Sequence, residues 1–176
     1  MLRGELTGLR ARLPGEAEIL HAELYEDVET RVRADSRPWV PIPSGPASPF
    51  WAGAGPAQPV DAAVFSVVEL ATGQLAGDAV LWDIDPHNRS AHLGISLRPA
   101  CRGRGLGTDT ARVLCRYGFA IRGLHRLQIE TLADNEAVIR LAEQTGFTRE
   151  GVIRGSDWVN GRFADSVIFG RLDSDQ

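Results

Sequence analysis

Apolar residues alternate, wind and alternate again along this chain, and the changes of period mark its elements. Leu6–Pro14 has the alternating character of an opening strand. Ile19, Leu20, Leu24 and Val28 recur at helical spacing and predict one amphipathic helix over Gly15–Val32. Ala62–Leu70 and Leu75–Ile84, separated by a short Thr-Gly-Gln link, predict a hairpin. Asp85–Arg89 gathers Asp, Pro and Asn into a turn, and Ser90–Pro99 is a further strand. A second helix is predicted over Gly107–Ile121, with Thr110, Val113, Leu114, Tyr117 and Ala120 on one face. Arg126–Leu132 is a strand rich in β-formers. Asp134–Phe147 opens on helix-capping residues and closes on Gly146, the residue type that ends helices in the left-handed conformation. In Ser156–Leu172, Asn160-Gly161 lies between two alternating segments and predicts a closing hairpin. The order is strand, helix, three antiparallel strands, helix, strand, helix, hairpin.

Residues 38–59 break this rhythm. They hold seven of the ten prolines together with Trp39, Phe50 and Trp51. Two readings stand: a tether, or a lid over a binding site, because a long loop inside a domain is often functional and large aromatics are unusual in a plain linker. Both sides belong to one fold, so residues 1–176 are read as a single domain carrying an irregular Pro-rich loop at about 37–60. No apolar run approaches a membrane span, and the charged N-terminus does not resemble a secretory signal. Cys101 and Cys115 are too few for a thiolate metal site and read as reduced cytosolic thiols, so no metal and a cytoplasmic location are expected. The net charge of −4 disfavours a nucleic-acid partner. All 19 basic residues are arginine.

The candidate chemistry begins at "CRGRGLGTD", between a strand and a helix. A phosphate cradle needs backbone N–H groups converging on one point, with a helix N-terminus behind them. Gly103, Gly105 and Gly107 permit that approach, and Arg102 and Arg104 add cationic forks. A Walker loop ends in Gly-Lys-Ser/Thr, and this chain has no lysine. A dinucleotide loop reads G-x-G-x-x-G; counting from Gly103 or Gly105, the third position is Thr108 or Thr110. What fits is Arg-x-x-Gly-x-Gly, spanning Arg102 to Gly107.

With this loop, the chain resembles the GNAT superfamily of N-acyltransferases, and within it the Rim-type branch of enzymes like ribosomal-protein N-terminal acetyltransferases. The resemblance is carried in order by "DPHNRSAHLGISLRP", "CRGRGLGTD", "HRLQIETLADNEAVIRLAEQTGF" and "REGVIRGSDWVNGRFADSVIFGRL", and covers Ala63 to Leu172 well. It implies an α/β (α+β) fold with a central mixed, mostly antiparallel sheet flanked by helices. It implies a bacterial, cytoplasmic enzyme that moves an acetyl group from acetyl-CoA directly to a primary amine, either a protein N-terminus or a small molecule. Homodimers are common in that branch. Ile95, Ser96 and Leu97 would line the pantetheine arm. Arg102, Gly103, Arg104, Gly105, Leu106, Gly107 and Thr108 would take the pyrophosphate. Asn135 and Arg140 would contact the cofactor arm.

The chain departs from that family pattern at the reacting centre. His92 stands where many members have glutamate; it serves either as general base or as a strand histidine hydrogen-bonded across the sheet. Asn135 is read as catalytic and cofactor-binding, and also as an ordinary helix cap. Val138 and Ala142 occupy the places where relatives carry a serine or tyrosine that protonates the leaving thiolate, and neither can donate. That gap keeps open an acyl-CoA-binding module with little turnover, beside transfer of another acyl group such as succinyl. For the amine, Trp39, Phe50, Trp51 and Trp82 are read as shaping the pocket and Asp83 as attracting the cation.

Overall fold

The computed structural model describes residues 1–35, 37–53 and 59–175, so residues 54–58 of the Pro-rich loop lie outside the described residues. Eight strands form one sheet in the order β1-β2-β3-β4-β5-β6-β8-β7. The first five, β1 (Leu2–Arg3), β2 (Thr7–Arg10), β3 (Ala63–Glu69), β4 (Leu75–Asp85) and β5 (Ser90–Leu97), are antiparallel neighbours in chain order. β6 (Arg126–Leu132) lies parallel to β5. A parallel partner requires a crossover connection. That crossover is α3 (Leu106–Arg116), which runs on as a π-helical turn, Tyr117–Ile121. After α4 (Glu136–Gln144), the hairpin of β7 (Thr148–Val159) and β8 (Arg162–Leu172) places β8 between β6 and β7.

The alternation read from the sequence has a direct packing consequence. Ala79 and Leu81 of β4, Ala91 and Leu93 of β5, and Leu127 and Ile129 of β6 form the main core with Val113 and Leu114 of α3. Burying each such large side chain contributes about 1.5–3 kcal/mol. Gly118 lets the end of the crossover lie close to the sheet, because a Cβ there would meet Leu127 at 3.2 Å and Leu81 at 3.4 Å.

A second, smaller core holds Leu20, Leu24, Tyr25, Phe50 and Leu75, with Trp39 and Ile42 against it. The buried Arg12 ties this cluster to the sheet: its guanidinium donates to the Phe50 carbonyl, to the Ala52 carbonyl at 3.0 Å and to Asp78 of β4. Burial depresses the Arg12 pKa to about 10, which leaves it charged at neutral pH. The Pro-rich loop is therefore packed and pinned over part of its length, with one 3-10 turn at Pro49–Trp51.

Two sequence expectations are corrected. The helix expected over Gly15–Val32 is divided into α1 (Glu16–Leu20), continued by a π-helical turn at His21–Tyr25, and a separate α2 (Val28–Ala34). Asp27 causes the restart: its carboxylate caps the new helix by accepting from the Thr30 N–H at 3.2 Å. Ile19 and Val28 are both exposed, so the apolar spacing across the break did not describe one buried stripe. The closing hairpin also starts earlier than Ser156. β7 begins at Thr148, but as a largely exposed outer strand with two register shifts it carries no clean alternation. Among the described residues, no helix is long and apolar enough to cross a membrane.

Candidate active site

The sheet forks between β5 and β6. Their pairing covers only Ser90–His92 against Arg126–Gln128. Beyond His92, β5 continues with β4 as far as Leu97, and β6 continues with β8 as far as Leu132. Ile95, Ser96 and Leu97 lie on the diverging part of β5, along an edge that β6 no longer pairs. Such an edge offers backbone donors and acceptors to an extended ligand containing amides.

The glycine loop closes one end of this fork. Gly103 and Gly105 hold φ of 71° and 78°, the left-handed region that glycine enters without a Cβ penalty. Gly105 also starts α3, and no side chain caps that helix. Its first-turn N–H groups carry the positive end of the helix macrodipole, which favours negative charge nearby. Gly107 serves a different purpose: a Cβ would meet Leu141 of α4 at 3.3 Å and Leu97 of β5 at 3.6 Å, so it permits close packing at the loop. Leu106 is buried in the core and offers the site only its backbone. Arg102 donates from Nε to the Leu97 carbonyl at 2.9 Å, and Thr108 bonds Gln144 at 3.3 Å. Arg104 is ion-paired with Glu69 of β3, so its guanidinium is already engaged.

Asp109, a residue not singled out from the sequence, locks this helix start in place. Its buried carboxylate accepts from the N–H groups of Glu5, Leu6 and Thr7 at 3.0, 3.0 and 2.8 Å, and from the Thr7 hydroxyl at 2.7 Å. These bonds hold its pKa below the usual carboxylate value although burial alone would raise it. An aspartate in a first helical turn is ordinary dipole chemistry in a sequence, so nothing local announced a tie to a strand about a hundred residues away.

His92 occupies the last register before the fork opens. Its side chain is 24% exposed and stacks on the Trp82 indole with ring centroids 4.4 Å apart. Nε2 lies 3.9 Å from the carboxylate of Asp83, while Nδ1 is buried without a hydrogen-bond partner. The cross-sheet hydrogen bond that would make His92 purely structural is thus not made. Burial lowers its pKa below 6.5, opposed by the charges of Asp83 and Glu130. At neutral pH the imidazole is therefore neutral and able to accept a proton. Asp83 reaches this position from a register shift in β4, with φ of 51°, a conformation that Asp tolerates better than most residues. Its side chain is 73% exposed, and Trp82 is 47% exposed at the same mouth.

Asn135 begins α4. Its Oδ1 accepts from the Val138 N–H at 3.4 Å and its Nδ2 donates to Thr131 at 2.9 Å, so it acts as a helix cap. Arg140 is exposed and paired with Glu136 one turn back at 3.3 Å. α2 lies between the two loops flanking the fork: Arg33 pairs with Asp134 at 2.6 Å, and Asp27 senses the charge of Arg102. A recess of about 320 Å³ between α2 and Asn135 is lined by Glu29, Thr30 and Arg33.

Two of the loop aromatics are taken up by the second core. Phe50 is 4% exposed and Trp39 packs on the same second core, its indole donating to the Tyr25 carbonyl at 3.1 Å. Trp51 follows Phe50 in the 3-10 turn and is partly exposed. Ala142 is fully buried and Val138 packs on the main core, so α4 presents no proton donor at either position. Among the described residues, no group of three or more His, Cys, Asp or Glu could hold a metal ion.

A sheet that forks between β5 and β6, with a glycine-rich turn leading into α3 at one end, is the architecture of the acetyltransferase (GNAT) fold. Residues 8–148 match the acetyltransferase (GNAT) domain family, and the chain belongs to it. It is similar to the spermidine N(1)-acetyltransferase of Escherichia coli strain K12, at 30% identity over 95 residues, which is 54% of this chain and 51% of that protein. It is also similar to the ribosomal-protein-serine acetyltransferase of the same strain, at 25% identity over 89 residues, covering 51% of this chain and 50% of that protein. The chain spans about half the length of the curated relatives it matches. The fold is shared with a spermidine N-acetyltransferase from Vibrio cholerae crystallised with CoA and spermine: TM-score 0.77, 21% identity, 97% of each chain covered.

Proposed function

We propose that this chain transfers an acetyl group from acetyl-CoA to a primary amine of a small polycationic molecule of the polyamine class. One observation carries the reading: a neutral, partner-poor imidazole at the apex of the fork lies within the field of two carboxylates, Asp83 and Glu130. The spermidine acetyltransferases among its relatives point the same way. A polyamine arrives protonated, and carboxylates at the mouth draw it in while the imidazole takes its proton.

In this reading the pantetheine arm pairs with the free edge of β5 at Ile95–Leu97, and the pyrophosphate rests on the first-turn amides of α3. His92 accepts the ammonium proton at Nε2, the side facing Asp83. The free amine attacks the thioester carbonyl, the C–N bond forms, the nitrogen releases its second proton to solvent, and the C–S bond breaks. The thiolate takes its proton from solvent, because Val138 and Ala142 offer none. Holding amine and thioester together supplies much of the acceleration. The enzyme is cytoplasmic, in keeping with two free cysteines.

A protein N-terminus as acceptor is the second reading, favoured by the Rim-like hairpin around Asn160-Gly161-Arg162 and by the ribosomal-protein relative. Incubation with acetyl-CoA and a pool of polyamines and N-terminal peptides, read by mass spectrometry, separates the two. Acetylated polyamine is expected. Acetylation confined to peptides would overturn the polyamine reading, and coenzyme binding without product would leave a binding module.

A further inference from the structure

The helix α2 lies at the open end of the fork without joining either core. None of its side chains is buried, and no residue of Val28–Ala34 belongs to the two apolar clusters. Polar contacts hold it instead. Just before it, Glu23 of the π-helical turn accepts from Arg98, the residue that follows β5, at 2.9 Å. Within it, the Arg31 guanidinium lies over the rings of Tyr25 and Phe50, at 5.5 and 6.0 Å, and pairs with Asp35. Near its far end, Arg33 pairs with Asp134, two residues beyond β6, at 2.6 Å. The break that starts α2 is at Asp27, whose ψ of 78° is outside the helical region. Such an element-terminal residue absorbs a change of backbone angle without breaking a helix.

The dimensions of α2 fit its place. An extended ligand held between two strands separates them by about twice the strand spacing, ~10 Å. A helix of seven residues rises by about 10 Å. α2 therefore reaches from the β5 side, where Asp27 lies in the field of Arg102, to the β6 side at Asp134. The recess of about 320 Å³ lies between it and Asn135. The one ion pair that fastens α2 to the β6 side has partners 38% and 55% exposed, and a pair so exposed is weak. From these observations we infer that α2 is a strap across the fork: it swings about Asp27, the Arg33–Asp134 pair latches it shut, and the coenzyme enters and leaves while the latch is open. The inference goes beyond the proposed function and rests on its coenzyme.

The test pairs hydrogen exchange of the Val28–Ala34 amides, read by mass spectrometry, with stopped-flow association and dissociation of coenzyme A. It compares the unmodified chain with Arg33→Gln, Asp134→Asn and the double variant. The two single substitutions open the same latch but change the local charge in opposite senses. Each is expected to raise amide exchange in α2 and both coenzyme rates about two- to fivefold, with little change in affinity. The double variant is expected to match the singles rather than add to them, because either substitution alone removes the pair. Coenzyme rates that move in opposite directions in the two single variants overturn the inference, since direct attraction and repulsion of the anionic coenzyme then explain them. Raised exchange with unchanged coenzyme rates overturns it too, as does unchanged exchange. Coenzyme A that fails to bind the unmodified chain refutes the proposed function and the strap's role together; binding with unchanged rates refutes the strap alone.

Discussion

Asp109 and His92 are polar side chains packed beside the same sheet, and their surroundings treat them in opposite ways. The carboxylate of Asp109 receives four hydrogen bonds and has no role left to play in solution. The imidazole of His92 receives none at its buried nitrogen, and its other nitrogen faces an open mouth lined by Asp83 and Trp82. Buried polar groups are ordinarily satisfied, and a satisfied network fixes architecture. An unsatisfied, titratable one at a strand fork has a cost that a chemical role explains. Asp109 thus belongs to the scaffold that holds the start of α3, and under the proposed function His92 belongs to the reaction.

Substitutions separate the two roles. The largest effect on stability is expected from Asp109→Ala, which strands three backbone N–H groups and a hydroxyl; denaturant unfolding should show a loss of about 3–5 kcal/mol. His92→Ala should leave the fold stable but slow acetyl transfer about 100-fold, ~2.7 kcal/mol on the barrier, in steady-state assays. A reversal of the two outcomes would break the comparison. Gly105→Ala forces a Cβ into the left-handed region and should cost about 1–2 kcal/mol of stability. Under the proposed function, Gly105→Glu should add a loss of coenzyme affinity, about tenfold, by setting a carboxylate beside the pyrophosphate. Arg33→Ala removes an exposed ion pair to Asp134 and should change stability by only about 0.2–1 kcal/mol.

The same contrast marks what the sequence could tell. Strands and helices whose apolar faces meet the main core were legible, because alternation and helical spacing report burial directly. The hairpin of β3 and β4, the strand β6 and the helices α3 and α4 all fall in this class. The glycine loop was legible because its left-handed turns and close packing demand glycine at those positions. The restart of the helix at Asp27 and the exposed first half of β7 were not, since neither buries a continuous face. In the site, the position of His92 could be read, but its missing partner and the register shift that brings Asp83 beside it are tertiary facts. Asp109, Arg12 and the pair of Arg33 and Asp134 join residues distant in the chain, and no local pattern carries them.

The lowered pKa of His92 has consequences of known sign. Well above pH 6.5, folded and unfolded chains both hold this residue neutral, and it contributes no pH dependence. As pH falls below 6.5, the unfolded chain takes up the proton first, so stability drops until the folded value is passed and then levels off. Under the proposed function, activity follows the neutral form of His92 and should fall across the same acidic range. The most direct test of the central claim is therefore the pH dependence of kcat/KM for acetyl transfer to spermidine, in the unmodified chain and in His92→Gln. The account predicts an acidic limb with its midpoint below 6.5 in the unmodified chain, absent from the slower variant. Identical profiles and rates would contradict it.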